Sequence, residues 1–209
     1  MWQSRCVICR WLPPMWAPVL LTAAASVFVC GNLWVLVTQP TAFNISNDQE
    51  NYAYLGASWL FKQLGGKGDV VYMRGIPGVP ADTDRDTGFK RALAENPDIK
   101  VVKEVSTNWD PTTGAQQITD IVNAGTHFDG IWTSGIDSWI VDALQTAGAP
   151  LVPIVGADNS GFVAQLLDGT KYPGLVGAAV TNPGSVGGAG VALALQILDG
   201  QTPAQQTTL

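Results

Sequence analysis

The sequence predicts an α/β fold: a doubly wound three-layer lobe with a mainly parallel five-stranded sheet, preceded by a hydrophobic N-terminal segment. Three observations carry that expectation. After residue 44, short β-rich apolar runs alternate with stretches whose apolar residues recur three and four apart, the pattern of repeated βα units. Glycine, asparagine and proline punctuate the junctions, as in LGGKG at 64–68 and ENP at 95–97, where helices tend to end. With 209 residues and 46% apolar content, the chain suits one lobe plus an appendage, since a domain usually takes about 100 to 200 residues. The lobe is assigned to 38–209 and the head to 1–37.

The head comes first. Its run 15–37, MWAPVLLTAAASVFVCGNLWVLV, has no charged residue and exceeds the about 20 apolar residues that span a bilayer as a helix. Arg5 and Arg10 precede it with no Lys or Arg close behind, so the positive-inside rule exports the body. A cleaved signal fits equally, with Ala23, Ala24, Ala25 and Ser26 as small residues near a cleavage point. Pro13, Pro14, Pro18, Gly31 and Asn32 interrupt a continuous helix, and bulky Val29 before Cys30 does not suit lipid attachment. The head is therefore read as a signal, a membrane tether or a segment unrelated to the lobe, with a helix within 15–37 that packs poorly on it.

Within the lobe the candidate strands are 69–73, 100–105, 130–133, 151–155 and 175–180, each a short apolar, β-rich run. The candidate helices between and around them are 52–64, 82–95, 112–124, 138–147, 161–167 and 185–198. Asp82, Asp84 and Asp86 cluster where the second helix should begin, the position of N-caps and first-turn acids that favour the macrodipole. Trp132 and Trp139, at strand and helix positions, read as core. Trp109 sits among Asn108, Asp110 and Pro111 in a loop and reads as a ligand platform.

Composition excludes several functions. From Asn44 onward seventeen acidic residues face nine basic ones, a balance that repels phosphate backbones and argues against nucleic acid. All three cysteines precede residue 31, so the body has no disulfide framework and no thiolate. Cys6 and Cys9 form a CxxC without the second pair or histidine of a zinc site. For an enzyme the signals are thin: the single histidine, His127, lies in the polar turn NAGTHFDG, and neither a GxSxG elbow nor a phosphate loop is present. No cofactor or metal is expected.

In doubly wound sheets ligands sit beyond the carboxyl ends of the strands, so polar residues just after each strand are the site candidates. In turn these are Arg85, then Asn108 and Trp109, then Gly135 and Asp137, then Asp158 and Asn159, and last Thr181 and Asn182. Ionised Asp and Arg make charge-assisted hydrogen bonds to hydroxyls, and aromatic rings cover apolar sugar faces. Such a set suits a neutral polyol.

Taken in order, GIPGVPADTDRDTGF at 75–89, NPDIKVV, NWD, FDGIWTSG, VGAD and NPGSVG closely resemble the C-terminal lobe of ribose-binding-protein-like periplasmic receptors. These are the solute-binding subunits of bacterial sugar ABC transporters. The resemblance runs from about Thr38 to Leu198. It implies two lobes that close on one sugar, a periplasmic or extracytoplasmic location and a membrane permease as partner. Residue by residue, it makes Arg85 before Gly88 and Phe89 the sugar-hydroxyl clamp, with its neighbouring acids capping the helix and orienting it. Trp109 becomes the aromatic, Asp158 the aspartate, Thr181 the last polar position and Ser46 in NISNDQ the re-entry from the hinge. Gly135 stands where many members have an asparagine, so that contact is either lost or passed to Asp137. A first lobe would precede the hinge near 37–44, where this chain has only the apolar head. The resemblance therefore predicts one half of a receptor and weak binding of monosaccharides by the half alone. Two further readings remain. A regulator of the lactose-repressor type would need a basic helix-turn-helix that 1–40 lacks, whereas a tethered lobe that binds a permease or sensor protein in place of a sugar fits the sequence too.

Overall fold

A computed structural model describes residues 42–209; the head and every expectation placed on 15–37 lie outside the described residues. In chain order the elements are β1 (Asn44–Ser46), α1 (Gln49–Gln63), β2 (Lys67–Arg74), α2 (Pro80–Ala94), β3 (Asp98–Ser106), α3 (Pro111–Asn123) and β4 (Gly130–Thr133). They continue with α4 (Asp137–Thr146), β5 (Ile154–Ala157), α5 (Ser160–Leu167), β6 (Gly177–Val180), α6 (Ser185–Leu198) and β7 (Gln206–Thr208). Five strands form one sheet in the order β3-β2-β4-β5-β6, and every neighbouring pair is parallel. The strand order reverses direction around β2 and β4, which is the doubly wound arrangement.

Helices cover both faces, so the central strands carry continuous apolar runs and alternate only in which layer each side chain meets. Along β2, Val70 and Tyr72 pack with Tyr52, Leu60, Phe61 and Phe89 of α1 and α2. Val71 and Met73 pack with Ile118, Ile121, Ile140 and Leu144 of α3 and α4, where Phe162 of α5 joins them. Tyr72 stacks on Phe89 with centroids 3.8 Å apart, and Trp132 meets both edge-on. Trp132 is thus core, as its strand position predicts.

Local chemistry sets the ends of the elements. The Asp48 side chain accepts from Asn51 N at the start of α1, and Gly65 and Gly66 end that helix with positive φ, which costs glycine nothing. The second helix starts earlier than expected: Pro80 opens it and Val79 occupies the N-cap without a side-chain bond. The acids at 82–86 therefore do not supply the N-cap. The fourth sheet strand begins at Ile154 instead of residue 151, because Pro150 and Pro153 lack the N–H a ladder needs; the Pro153 carbonyl still accepts from Ile131 N.

Two elements have no counterpart in the sequence reading. β1 and β7 form a separate two-stranded parallel sheet, pairing Asn44 with Gln206 through Ser46 with Thr208. α6 belongs to that unit: Val186 and Leu193 pack with Ile45 in a third cluster beside Phe43 and Ile197. Val191, Leu195 and Leu198 of α6 are exposed. Among the described residues no helix is long and apolar enough to cross a membrane.

Two glycine substitutions of opposite sign test this packing. A side chain at Gly88 would overlap the Glu50 carbonyl where α1 and α2 touch, and forced overpacking costs about 1–3 kcal/mol. Gly187, inside α6, has nothing within 4 Å of an added Cβ, and alanine exceeds glycine in helix propensity by about 1 kcal/mol. Urea unfolding followed by circular dichroism should show Gly88→Ala destabilised and Gly187→Ala unchanged or stabilised. Equal effects would refute the close α1–α2 crossing.

Candidate functional site

Parallel strands end at one edge, and each following helix begins there, so the loops after β2, β3, β4, β5 and β6 and the N-terminus of α1 share that edge. Arg85 lies on the second turn of α2 and is 5% exposed. Its Nε donates to Gln49 Oε1 at 2.8 Å, and its Nη1 donates to Ser134 Oγ at 2.9 Å and Ser134 O at 3.1 Å. The guanidinium also lies 4.3 Å over the Tyr52 ring, a cation–π contact strengthened where water is excluded. Its other terminal nitrogen, Nη2, makes no hydrogen bond among the described residues. Burial pulls the guanidinium below its usual pKa, with Tyr52 and then Asp137 opposing that shift.

The acids around Arg85 do not hold it, contrary to the expectation that they orient it. Asp82 accepts from Arg74 Nη2 at 2.7 Å and from Gly75 N at 2.9 Å. Asp86 accepts from the Tyr72 hydroxyl and from Lys90. Asp84 points outward; partial burial and then the nearby Glu50 and Asp48 raise its carboxyl pKa. The cluster fastens Arg74 and the strand end, and Arg85 passes behind it into the lobe.

The loop after β3 sets Trp109 in an unusual backbone. Asn108 and Trp109 have φ of 55° and 53°, left-handed values that non-glycine residues rarely adopt. Thr107 holds the turn through its hydroxyl on Arg74 O at 2.7 Å, and Asp110 caps α3 by accepting from Thr113 N. The half-buried indole donates from Nε1 to Ser134 Oγ at 3.0 Å. Gly75 makes room, because a Cβ there would overlap the ring.

Asp137 is fully buried at the start of α4. Its Oδ1 accepts from Thr133 Oγ1, and its Oδ2 accepts from Ala157 N at 3.0 Å and Asn159 Nδ2 at 2.6 Å. Asn159 in turn caps α5 by accepting from Phe162 N. Gly156 leaves space for this carboxylate, which an added Cβ would overlap. Burial pushes the Asp137 pKa up to about 7 despite the N–H donors of Ala157, Asp137 itself, Gly135 and Asn159. It therefore lies beneath the edge, joining the loops after β4 and β5, and does not face outward as a contact replacing the asparagine would.

Asp158 and Thr181 are exposed on the rim, and Asp158 Oδ1 accepts from Asn182 N at 3.4 Å. Asn182 Oδ1 accepts from Asn47 and from Gln49 Nε2, so Gln49 bridges Arg85 to the β6 loop. Ser46 stands apart, half-buried in β1, with its carbonyl accepting from Leu209 N. Arg85 and Trp109 are thus brought together through Ser134, while Asp137 and Asn159 form a second cluster and Asp158 joins through Asn182. Sequence reasoning missed Ser134 and Gln49. Ser134 immediately follows a strand, the same signal that selected its neighbours; Gln49 opens a helix, whose N-terminus shares that edge.

A cavity of about 160 Å³ opens at this edge beside Asn182, with Asn47, Tyr52, Thr181 and Leu209 in its wall. Other features lie away from the edge. A wider depression of about 630 Å³ runs between α3 and α4 past Pro111, Ala115, Ala143 and Trp139. Trp139 is 47% exposed there, so its helix position did not make it core. At the opposite end of the sheet Asp69, His127 and Asp129 hold potential metal-ligand atoms within 4.8 Å of one another. Both Asp129 oxygens there are engaged, by His127 and by Asp69 N.

Fold and edge together define the class of protein: an α/β lobe of the kind found in solute receptors. The chain belongs to the periplasmic binding protein domain family, whose model matches residues 17–202. It is 28% identical over 169 residues to a xylitol-binding protein of Mycolicibacterium smegmatis, covering 79% of this chain and 48% of that one. It is 25% identical over 163 residues to a ribose import binding protein of Salmonella typhimurium, covering 76% and 53%. A solved ABC transporter periplasmic solute binding protein from Actinobacillus succinogenes 130z, with bound D-allose, shares the fold at a TM-score of 0.67 and 26% identity, over 80% of this chain and 59% of that one. The chain therefore spans about half the length of the relatives it matches.

Asp137 makes a pH prediction. Its folded-state pKa of about 7 lies above the ordinary 3.8, so the folded state holds this proton more tightly. The stability this group contributes is present in full below about pH 4 and is lost as pH rises to about 7. Asp137→Asn removes the titration. Chemical denaturation across this range should therefore show wild type losing stability relative to the variant up to about pH 7, then no further change. A flat difference throughout would mean that the carboxyl is not perturbed by burial.

Proposed function

We propose that this chain is the sugar-receiving lobe of the solute-binding component of a bacterial ABC importer. In this reading it works in the periplasm or an equivalent extracytoplasmic space, takes a neutral monosaccharide or polyol at the carboxyl edge of its sheet, and presents it to a membrane permease. The relatives' names support the ligand class: one binds xylitol, another is a ribose import binding protein and a solved neighbour holds D-allose.

One observation carries the reading. Arg85 is fixed through Nε and Nη1, is almost entirely buried, and keeps Nη2 out of every hydrogen bond among the described residues. A guanidinium held this way is pre-organised: ordering it for a ligand hydroxyl costs little further side-chain entropy. In the proposed roles Nη2 donates to a sugar hydroxyl, the Trp109 face covers an apolar sugar face, and Asp158 accepts from hydroxyls. Thr181 and Asn159 supply polar contacts along the rim and Ser46 does so where the chain enters. Asp137 acts from below, holding Asn159 and the Ala157 amide in place. No metal or cofactor is needed for such binding.

A hydrogen bond to a charged group contributes roughly 1.5–3 kcal/mol, so losing Arg85 should weaken binding by about tenfold or more. Contacts from one lobe alone should give affinities of about millimolar or weaker, about −4 kcal/mol. The test is a nuclear magnetic resonance titration of the 209-residue chain with ribose, arabinose, allose and xylitol. Saturable shifts are expected for at least one ligand in wild type and in Arg91→Ala, and should be lost in Arg85→Ala. Wild-type affinity in Arg85→Ala would overturn the site. If no sugar gives a saturable shift, the reading shifts to a lobe whose partner is the permease.

A further inference from the structure

We propose that Ser134 is the positioning residue that locks Arg85 and Trp109 into one recognition unit, an inference that rests on the sugar-binding reading for its purpose but not for its test. Ser134 directly follows β4 and is 2% exposed. Its hydroxyl oxygen accepts from Arg85 Nη1 at 2.9 Å and from Trp109 Nε1 at 3.0 Å, while its carbonyl accepts from the same Nη1 at 3.1 Å. A guanidinium and an indole N–H only donate, so they cannot bond to each other. Joining them takes an acceptor with two lone pairs small enough to be buried between them, and a hydroxyl is such a group.

Arg85 comes from α2, which follows β2, and Trp109 and Ser134 come from the loops after β3 and β4; the three strands are adjacent in the sheet order β3-β2-β4. One buried hydroxyl thereby ties a helix to two loops, and the other contacts of each side chain are arranged around it. Arg85 is steadied on its far side by Gln49 and the Tyr52 ring. Trp109 is steadied by the left-handed turn and by the space over Gly75. The guanidinium carbon sits 6.0 Å from the indole centroid, and Ser134 fixes that spacing. A ligand must then offer an apolar face and a hydroxyl at a matching separation, so Ser134 sets selectivity without being an open contact. A serine kept only for packing would not need both donors on its hydroxyl.

The test uses the full chain without any sugar. With eight tryptophans in the sequence, the Trp109 indole ¹H–¹⁵N resonance is assigned by its loss in Trp109→Phe, and the Arg85 Nε–H resonance by its loss in Arg85→Lys. In Ser134→Ala both resonances should move, the indole upfield, and the indole proton should exchange with solvent at least about tenfold faster. Ser134→Cys, similar in size but a weak acceptor, should fall between and serves if the alanine variant does not fold. A folded variant with a lower unfolding midpoint but both resonances unmoved would overturn the proposal, because a purely structural serine behaves so. If the resonances move while wild type binds none of ribose, arabinose, allose or xylitol, the positioning role stands and the sugar-binding reading falls.

Discussion

All five strands of the main sheet run parallel, with helices packed on both faces of the sheet, and that constraint organises the rest of the molecule. A parallel sheet cannot be joined by tight hairpins, so each connection must climb over a face as a helix and return. Every strand therefore ends at one edge, and every following helix starts there. Side chains scattered from Gln49 to Asn182 meet at this edge, while Asp69, His127 and Asp129 meet at the other. The chain did not need these residues close in sequence; it needed each in the same place within its own βα unit.

Placing a guanidinium at that edge and then burying it sets a second constraint. A charge taken out of water must be matched by hydrogen bonds or an opposite charge. No carboxylate contacts Arg85 among the described residues; a glutamine, a serine hydroxyl, a serine carbonyl and a tyrosine ring surround it. Neutral partners hold a cation without neutralising it, so its field remains available to a ligand oxygen. The nearby acids are spent on Arg74, Gly75, Tyr72 and Lys90, which stiffens the strand end without quenching Arg85. Asp137 follows a related logic on the other side of the edge: both oxygens are taken by internal donors, so it braces two loops and leaves the rim to Asp158 and Thr181.

The small β1–β7 sheet and α6 stand outside the three-layer lobe and meet it at the edge just described. Asn47 and Gln49, which follow β1, both donate to Asn182, which precedes α6. The passage of the chain into the lobe and its exit toward α6 are thus joined at one asparagine, and Gln49 extends that junction to Arg85. Movement at Asn182 would reach the guanidinium through two hydrogen bonds, by way of Gln49, and movement at the entry through the Gln49 bond alone.

By itself the sequence determined the fold class, the five strands and six helices, and the edge that gathers Arg85, Trp109, Asp158 and Thr181. Apolar periodicity and glycine and proline punctuation are local properties, and a parallel α/β topology converts them directly into position. Tertiary structure alone decided what each polar side chain touches. Asp82 and Asp86 lie as near Arg85 in sequence as Ser134 lies far from it, yet the helix turns them toward Arg74 and Tyr72 and brings Ser134 into contact. In the sequence Asp137 is one more acid after a strand; the packing of β5 and Asn159 encloses it. Trp139 shared the helical position of a core residue but emerged on the α3–α4 flank. The pairing of β1 with β7 joins segments that begin at opposite ends of the described chain, and short strands of three residues leave too little pattern to read. Side-chain partners depend on directions in space that sequence spacing does not encode, because hydrogen bonds are short and a rotation of one helical position changes every one of them.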